Sequence, residues 1–292
     1  MGAMSQYLTP PPDFKPRKPR MKVPAGAWDT QIHLFGPAAE YPFDPDSPYY
    51  SDEVSAEAAI AMQDQLGLSK SLLVSGGGYG LDYLHMEHTL ARYPDRFRGV
   101  IFASAQTSDE ELARLHAMGV RGIRFVSDRR AKNLPRIQPE VAARVRQFDW
   151  PVHFYPHGED LLDYAGALMA LDSDKIVIDH LASVPAQGGV RQPAFRKLLE
   201  MLDSGRVWVK LSGPMRCTTE EPPYPSVTPI ARALVAHAPE RMMWASDWPH
   251  VNMVGRTMPN DGDLLDLLAE WAPDEDDRRK ILVDTPEALY GR

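Results

Sequence analysis

Two polar side chains lie on one face of an apolar segment near the start of the chain, in the stretch WDTQIHLFGP at residues 28–37. Gln31 and His33 are two positions apart, and residues at that spacing point to the same side of a β-strand. Two histidines there would form half of a metal site, but the first position holds a glutamine. An amide oxygen is a poor zinc ligand compared with an imidazole, so the pattern favours chemistry based on protons and hydrogen bonds.

Other polar side chains end further short apolar runs along the chain. Each alone has a structural explanation, since a single histidine in a strand is often a core residue with its hydrogen bonds satisfied. Burying this many ionisable groups in one place is costly unless they serve a purpose, so together they indicate an active site. Lys210 is predicted to pair with Asp179 inside the protein. The full set is Ser75, Arg124, His153, Tyr155, His157, Asp179, His180, Lys210, Ser212, Arg216, Ser246, Asp247 and His250.

Short apolar runs alternate with amphipathic segments throughout residues 26–292, and no second zone of composition is visible. Eight such pairs predict a single α/β domain, a (β/α)8 TIM barrel, in which functional groups gather at the carboxyl ends of the strands. The predicted strands are 27–34, 70–76, 98–104, 121–127, 150–157, 175–182, 206–213 and 241–248, and the predicted helices are 56–68, 83–93, 108–119, 139–148, 160–171, 193–202, 229–238 and 263–272.

The composition restricts the partners and the compartment. The chain has 292 residues and a net charge of -8, which argues against nucleic acid as a partner but allows local arginines to bind a small anion. No apolar run reaches the roughly 18 residues that a membrane span requires, and the N-terminus has no signal-peptide pattern. Cys217 is the single cysteine, so no intramolecular disulfide can form and we expect a cytoplasmic protein.

Residues 1–25 differ from the remainder, with six prolines among lysines and arginines. We interpret this segment as an extended arm that lies on the barrel or on a partner subunit. A disordered tail is the equal alternative. A homo-oligomer therefore stays open.

Three motifs carry a resemblance to a known family. The stretches DTQIHLFGP, IDHLA and ASDWPH, followed by the closing ILVDTPEALYG, resemble the amidohydrolase superfamily. They are most similar to its lactone-processing branch, which contains 2-pyrone-4,6-dicarboxylate lactonase and galactarolactone isomerase. Metal-dependent members carry His-x-His on the first strand, histidines on strands five and six, and an aspartate on strand eight. The matching positions here are Gln31, His33, His153 or Tyr155, His180 and Asp247.

The resemblance implies a metal-independent enzyme without a cofactor, because that branch uses none. A divalent metal held by His33, His180 and Asp247 is the less favoured alternative. The chemistry that remains is attack on a lactone carbonyl. Asp247 is the expected general base, while His33 and His180, with the Gln31 amide, would hold the developing oxyanion.

The leaving ring oxygen needs a proton, and His250 is the first candidate for the acid, with His180 as the second. A small anionic dicarboxylate lactone is the expected ligand. Arg124 suits its remote carboxylate through a two-pronged donor set. The other expected substrate contacts are Gln31, Tyr49 (or Tyr50), Ser75, Arg130 (or Arg129), Tyr155 and Arg216.

The attacking oxygen distinguishes two reactions. In an isomerase it is a hydroxyl of the substrate, and an oriented intramolecular nucleophile reaches an effective molarity of ~10⁵ M or more, which tolerates the lack of a metal. Gln31, with both a donor and an acceptor, also suits a polyhydroxylated substrate. We therefore expect an isomerase of a sugar-diacid lactone, of the galactarolactone type. A lactonase that releases the open diacid is the alternative, and a metal-dependent decarboxylase is a weaker one.

Overall fold

The structure is a computed structural model that describes residues 8–128 and 130–291. Within these ranges eight parallel strands follow one another in sequence order around a single sheet. The prediction of one (β/α)8 barrel is therefore confirmed. The strands are β1 Trp28–Ile32, β2 Lys70–Val74, β3 Phe97–Phe102, β4 Val120–Val126, β5 Val152–Tyr155, β6 Ile176–Ile178, β7 Val207–Leu211 and β8 Met242–Trp244.

Helices cover the outside of the sheet, and their ends follow local capping rules. The Ser108 side chain accepts a hydrogen bond from the backbone of Glu111, and Gly119 ends the same helix at a φ of 111°. In the described ranges, no helix is both long and apolar enough to cross a bilayer. The helices are α1 Ala56–Leu66, α2 Leu84–Arg92, α3 Asp109–Met118, α4 Pro139–Val145, α5 Leu161–Met169, α6 Pro193–Asp203, α7 Pro214–Cys217, α8 Thr228–His237, α9 Asp261–Trp271, α10 Glu275–Arg279 and α11 Thr285–Tyr290.

The barrel closes between its first and last strands. Ile32 forms a parallel bridge with Trp248, just beyond β8. Asp29, fully buried, accepts hydrogen bonds from the Ser246 backbone N–H at 3.0 Å and the Ser246 hydroxyl at 2.5 Å. Burial raises the pKa of Asp29 to about 7. These contacts fix the position of the segment after β8 relative to β1.

Candidate active site

A cavity of about 500 Å³ opens at the carboxyl ends of the strands. The barrel geometry brings together there side chains that lie far apart in the sequence, as expected for this fold. The predicted site residues that line the cavity are His33, Tyr49, Arg124, Tyr155, His180, Arg216 and Asp247.

Asp247 lines this cavity and is 1% exposed. Its Oδ2 accepts a hydrogen bond from Arg216 Nη2 at 2.9 Å. Its Oδ1 lies 3.2 Å from Gln31 Nε2 and 3.4 Å from His33 Nε2. Burial favours the neutral acid, but the Arg216 charge and these donors outweigh it and hold the pKa of Asp247 well below its ordinary value. The group is therefore ionised at neutral pH.

Gln31 lies beneath the cavity and is fully buried. Its Oε1 accepts a hydrogen bond from Lys210 Nζ at 2.7 Å. An ammonium can only donate, so the amide oxygen must face Lys210 and the NH2 group must face the other way. That NH2 group lies 3.0 Å from His180 Nε2 as well as within reach of Asp247. With its hydrogen-bonding groups engaged, Gln31 does not line the cavity, contrary to its expected role as a substrate contact.

Lys210 also pairs with Asp179 at 3.0 Å, as predicted from the sequence. The other oxygen of Asp179 accepts from Arg124 Nε at 2.9 Å. Hydrogen bonds and an ion pair thus connect Arg124 through Asp179 and Lys210 to Gln31, below the cavity. Because these groups are buried, the paired charges satisfy one another in place of water.

His180 is held in one tautomer by its two neighbours. Its Nε2 must accept from the Gln31 NH2 group, so the ring proton is on Nδ1, which donates to Ser212 Oγ at 3.0 Å. Burial lowers the pKa of His180 to about 4, so the ring is neutral at pH 7. A neutral ring with this tautomer has no N–H to offer to an oxyanion. The expected donor role of His180, and its role as the second candidate acid, do not fit this arrangement.

His33 offers the opposite geometry. Its Nδ1 lies 2.8 Å from the carbonyl oxygen of Val74, an acceptor, so Nδ1 carries a proton. Its Nε2 faces Oδ1 of Asp247 at 3.4 Å. The two atoms flank a position where one proton can be held between imidazole and carboxylate, next to the cavity.

Tyr49 is 4% exposed, and its hydroxyl has no hydrogen-bond partner among the described residues. A Cβ at Gly76 would lie 2.2 Å from this hydroxyl oxygen, so the glycine leaves the space that the hydroxyl occupies. Arg124 Nη1 donates to the Ser75 carbonyl at 3.3 Å, and its guanidinium lies 5.4 Å from the centre of the Tyr155 ring. The Tyr49 hydroxyl and the Arg124 guanidinium can therefore donate hydrogen bonds to a bound anion.

The structure does not bring His250 to the cavity. Its ring is fully buried, and Nε2 lies 3.0 Å from Asp261 Oδ1 at the start of α9. The prediction of His250 as the general acid does not fit this position, since the imidazole cannot reach a substrate. The contact ties the segment after β8 to α9.

Three further predicted positions differ from the expectation. The Ser75 carbonyl oxygen accepts a hydrogen bond from Arg124, and Ser75 lines a smaller neighbouring cavity instead of the main one. Arg130 is exposed and pairs with Asp128 at 2.8 Å, and Arg129 lies outside the described residues. On β5, Tyr155 lines the cavity, whereas His153 is buried below it beside Tyr290 at 3.2 Å. The register of the fifth strand, which the sequence left open, is thereby decided.

Several lining residues were missed by sequence reasoning. Asp128 and Asn252 are polar and follow β4 and β8, so their position after a strand was a usable signal. An apolar wall was not foreseen, because its members come from separate elements and are ordinary core types. That wall is formed by Phe102, Val126, Ala131, Leu134 and Val251.

The resemblance to the amidohydrolase superfamily implies that its metal positions match Gln31, His33, His180 and Asp247, with His153 or Tyr155 on β5. The Gln31 amide directs its hydrogens at His180 Nε2 and Asp247 Oδ1, and the Lys210 ammonium holds it in that orientation. In residues 8–128 and 130–291, no three histidine, cysteine, aspartate or glutamate side chains are arranged to hold a metal ion. This donor set does not fit a divalent metal.

The fold and the site define a (β/α)8 barrel with a carboxylate and imidazoles at the carboxyl ends of its strands. The family model described as amidohydrolase matches residues 28–292, and the chain belongs to that family. The resemblance stated from the motifs is thus confirmed.

Three named relatives are similar over nearly the whole chain. A 4-sulfomuconolactone hydrolase of Rhizobium radiobacter is 36% identical, over 92% of this chain and 91% of its own length. A 2-pyrone-4,6-dicarboxylate hydrolase of Comamonas testosteroni is 34% identical, over 94% and 93%. A D-galactarolactone isomerase of Agrobacterium fabrum is 30% identical, over 93% of each chain.

Proposed function

We propose that this protein hydrolyses an anionic lactone without a metal, by proton transfer through Asp247 and His33. The observation that carries the proposal is the 3.4 Å approach of His33 Nε2 to Asp247 Oδ1 at the cavity. An ester of this kind is activated enough for attack by water that is deprotonated as it reacts. The three relatives named above all act, by their names, on lactones.

The charges around the cavity support an anionic substrate. The cations at or below the cavity are Arg124, Lys210 and the half-buried Arg216, whereas the buried carboxylates that they face are Asp179 and Asp247. One positive charge is left over, and a substrate carboxylate balances it. Arg124 and Arg216 both line the cavity, so they are the groups we assign to a dicarboxylate.

In the proposed reaction, water attacks the lactone carbonyl while its proton passes to Asp247. The oxyanion is stabilised by the Tyr49 hydroxyl and by guanidinium donors. The bond from the carbonyl carbon to the ring oxygen then breaks, and that oxygen takes a proton from the position between Asp247 and His33. One water is consumed, one carboxylic acid and one hydroxyl form, and the catalytic pair returns to its first state.

A low pKa makes Asp247 a weak base in the free protein. Burial opposes this shift, and the neighbouring His180, Arg216 and His33 side chains together outweigh it. A substrate carboxylate drawn to Arg216 competes for that charge and raises the pKa of Asp247 toward the range useful for proton transfer. Substrate binding itself would therefore activate the base.

Hydrolysis is preferred to isomerisation for two structural reasons. The apolar wall around Phe102 and Leu134 suits a flat unsaturated ring better than a polyhydroxylated one. The argument from Gln31 for a sugar substrate also loses its basis, because the amide is engaged beneath the cavity.

Isomerisation of a sugar-diacid lactone of the galactarolactone type remains the second candidate. The Tyr49 and Tyr155 hydroxyls and the Asn252 amide line the cavity and could bind ring hydroxyls. A metal-dependent decarboxylase is not proposed, because the donor set does not fit a metal.

Time-resolved NMR with two lactones tests the proposal. With an unsaturated dicarboxylate lactone we expect direct release of the open acid. With a sugar-diacid δ-lactone, a five-membered lactone that forms before any open acid would favour isomerisation instead. Asp247→Asn should abolish turnover, whereas Asp203→Asn, at an exposed pair with His237, should not. Activity that is lost on chelation and restored by zinc would contradict the metal-free mechanism.

A further inference from the structure

The described part of the N-terminal arm, residues 8–25, contacts the loop that follows β1 at the carboxyl end of the barrel. Leu8 forms a parallel bridge with Tyr50, and the Thr9 backbone N–H donates to the Tyr50 carbonyl at 2.8 Å. Tyr50 directly follows Tyr49, whose hydroxyl lies at the cavity. The arm therefore holds the backbone next to one wall of the site.

The same short stretch contacts the loop that follows β8. The Asn252 backbone N–H donates to Thr9 Oγ1 at 3.4 Å. The Phe14 ring meets Trp248 edge-on, with centroids 6.1 Å apart. Trp248 directly follows Asp247, and Asn252 lines the cavity. Thr9, which is 2% exposed, thus touches both loops at once.

The base of the arm is fixed on α9. The Asp266 carboxylate accepts from the backbone N–H groups of Arg20 at 2.8 Å and Met21 at 3.0 Å, and it pairs with Arg17. Asp13 Oδ2 accepts from Asn260 Nδ2 at 2.9 Å, just before the same helix. Thr9 and Phe14 are therefore connected to a segment that is fixed to α9.

The loop after β8 needs such support. Asp247, His250 and Asn252 have φ values of 67°, 62° and 63°, in the left-handed region. A residue other than glycine is strained in that region, and the conformation persists only where the surroundings enforce it. The His250–Asp261 contact holds the loop from the barrel side, and the arm holds it from the outside.

We infer that the arm is a positioning element of the active site. Through Thr9 and Phe14 it clamps the loops that carry Tyr49 and Asp247, and so it maintains the spacing between the hydroxyl and the carboxylate. A displacement of about 1 Å between such groups can lower a rate about a hundredfold. The inference deepens the proposed function, and its effect on turnover rests on that function.

Two variants test the clamp separately. Thr9→Pro removes the N–H that bonds Tyr50 and the hydroxyl that bonds Asn252, while Phe14→Ala removes the ring on Trp248. Thr9→Ser retains both polar groups and should behave as the parent. Leu162→Ala on α5 is the matched control, because Leu162 and Phe14 are each 42% exposed. Phe14→Ala also keeps the test valid should Thr9→Pro fold poorly.

Hydrogen–deuterium exchange of the full chain is the first measurement. We expect amide exchange in residues 47–51 and 247–252 to rise about tenfold in Thr9→Pro, with the second segment alone affected in Phe14→Ala. In both, kcat should fall about tenfold while Tm changes by less than about 3 °C. Thr9→Ser and Leu162→Ala should show neither effect.

The two readouts separate the inference from the proposed function. Increased exchange at both loops supports the clamp even where no lactone is turned over by the parent protein. Unchanged exchange at both loops in Thr9→Pro and Phe14→Ala would overturn it. A fall in kcat that tracks an equal loss of Tm in Leu162→Ala would overturn it as well, because general destabilisation would then explain the effect.

Discussion

The ammonium of Lys210 lies 2.7 Å from the amide oxygen of Gln31, and this contact decides which way the amide faces. The NH2 group must then point at His180, which fixes that ring as a neutral acceptor. Gln31, at a position that the resemblance assigns to a metal ligand, is thus part of a hydrogen-bonded support below the cavity.

Gln31→Glu should disturb this support without changing its shape. One carboxylate oxygen can still accept from Lys210, but the other then faces His180 Nε2 and Asp247 Oδ1, which are acceptors. We expect the new carboxylate to raise the pKa of His180 from about 4, so that the ring is protonated at neutral pH. The kcat should fall about a hundredfold. The ¹⁵N chemical shifts of the His180 ring report the proton directly. Gln147→Glu on the surface should change neither, and an unprotonated His180 in Gln31→Glu would contradict the assigned tautomer.

Tyr49→Phe should separate activity from stability. The hydroxyl is buried and has no protein partner among the described residues, so its removal should leave the free energy of unfolding unchanged or raise it by up to about 1 kcal/mol. Turnover should fall about a hundredfold if the hydroxyl meets the oxyanion. Steady-state kinetics and urea unfolding measure the two effects.

Gly76→Ala provides an independent check on the same hydroxyl. A Cβ there would lie 2.2 Å from the Tyr49 oxygen, so the ring must move. We expect a loss of kcat comparable to that of Tyr49→Phe, and little further loss in the double variant, since the two changes remove one interaction. Fully additive losses would show that Gly76 acts elsewhere.

Arg124→Lys should weaken the binding of an anionic substrate while retaining the charge that Asp179 needs. A lysine lacks the planar pair of donors, so we expect KM for a dicarboxylate lactone to rise at least about tenfold, with kcat less affected. A monoester of the same lactone is the matched substrate, and its KM should change less. Arg146→Lys, at an exposed pair with Asp172, serves as the control protein.

The pH dependence of turnover should reveal the link between Arg216 and Asp247. In the free protein the pKa of Asp247 is held well below 3.8, so the acid limb of kcat/KM should lie below that pH. A bound carboxylate that draws on Arg216 raises this pKa, and the acid limb of kcat should then lie at least about one pH unit higher. Coincident limbs would show that the substrate does not compete for Arg216.

Stability should also fall as the solution is acidified from about pH 6.5 to pH 4. Burial lowers the pKa of His85, His153 and His180 to about 4, whereas the unfolded chain takes up these protons near pH 6.5. Asp29, with a pKa raised to about 7, offsets one of the three because the folded protein retains its proton across this range. Two net protons correspond to about 2.7 kcal/mol per pH unit, and the lowered pKa of His116 acts in the same direction. Urea unfolding at several pH values measures the slope, and a flat profile would contradict burial of these rings.

The eight strands, the eight helices that alternate with them and the end of the barrel that carries the site followed from the sequence, whereas α7, α10 and α11 were not predicted. Each apolar run and each amphipathic segment is short, and its periodicity records which side of the element faces the core. The pairing of Lys210 with Asp179 was also foreseen, because two opposite charges on neighbouring inner strands have few other partners.

Only the tertiary structure decided which polar groups reach the cavity. Gln31 and His33 share a face of the first strand, yet Gln31 is engaged below by Lys210, 179 positions later in the sequence, while His33 lines the cavity. His250 follows Asp247 by three residues but turns away to Asp261. Spacing along a strand gives the side on which a residue lies, but its depth, its tautomer and its partners depend on side chains contributed by distant strands. Those contacts exist only once the barrel has closed.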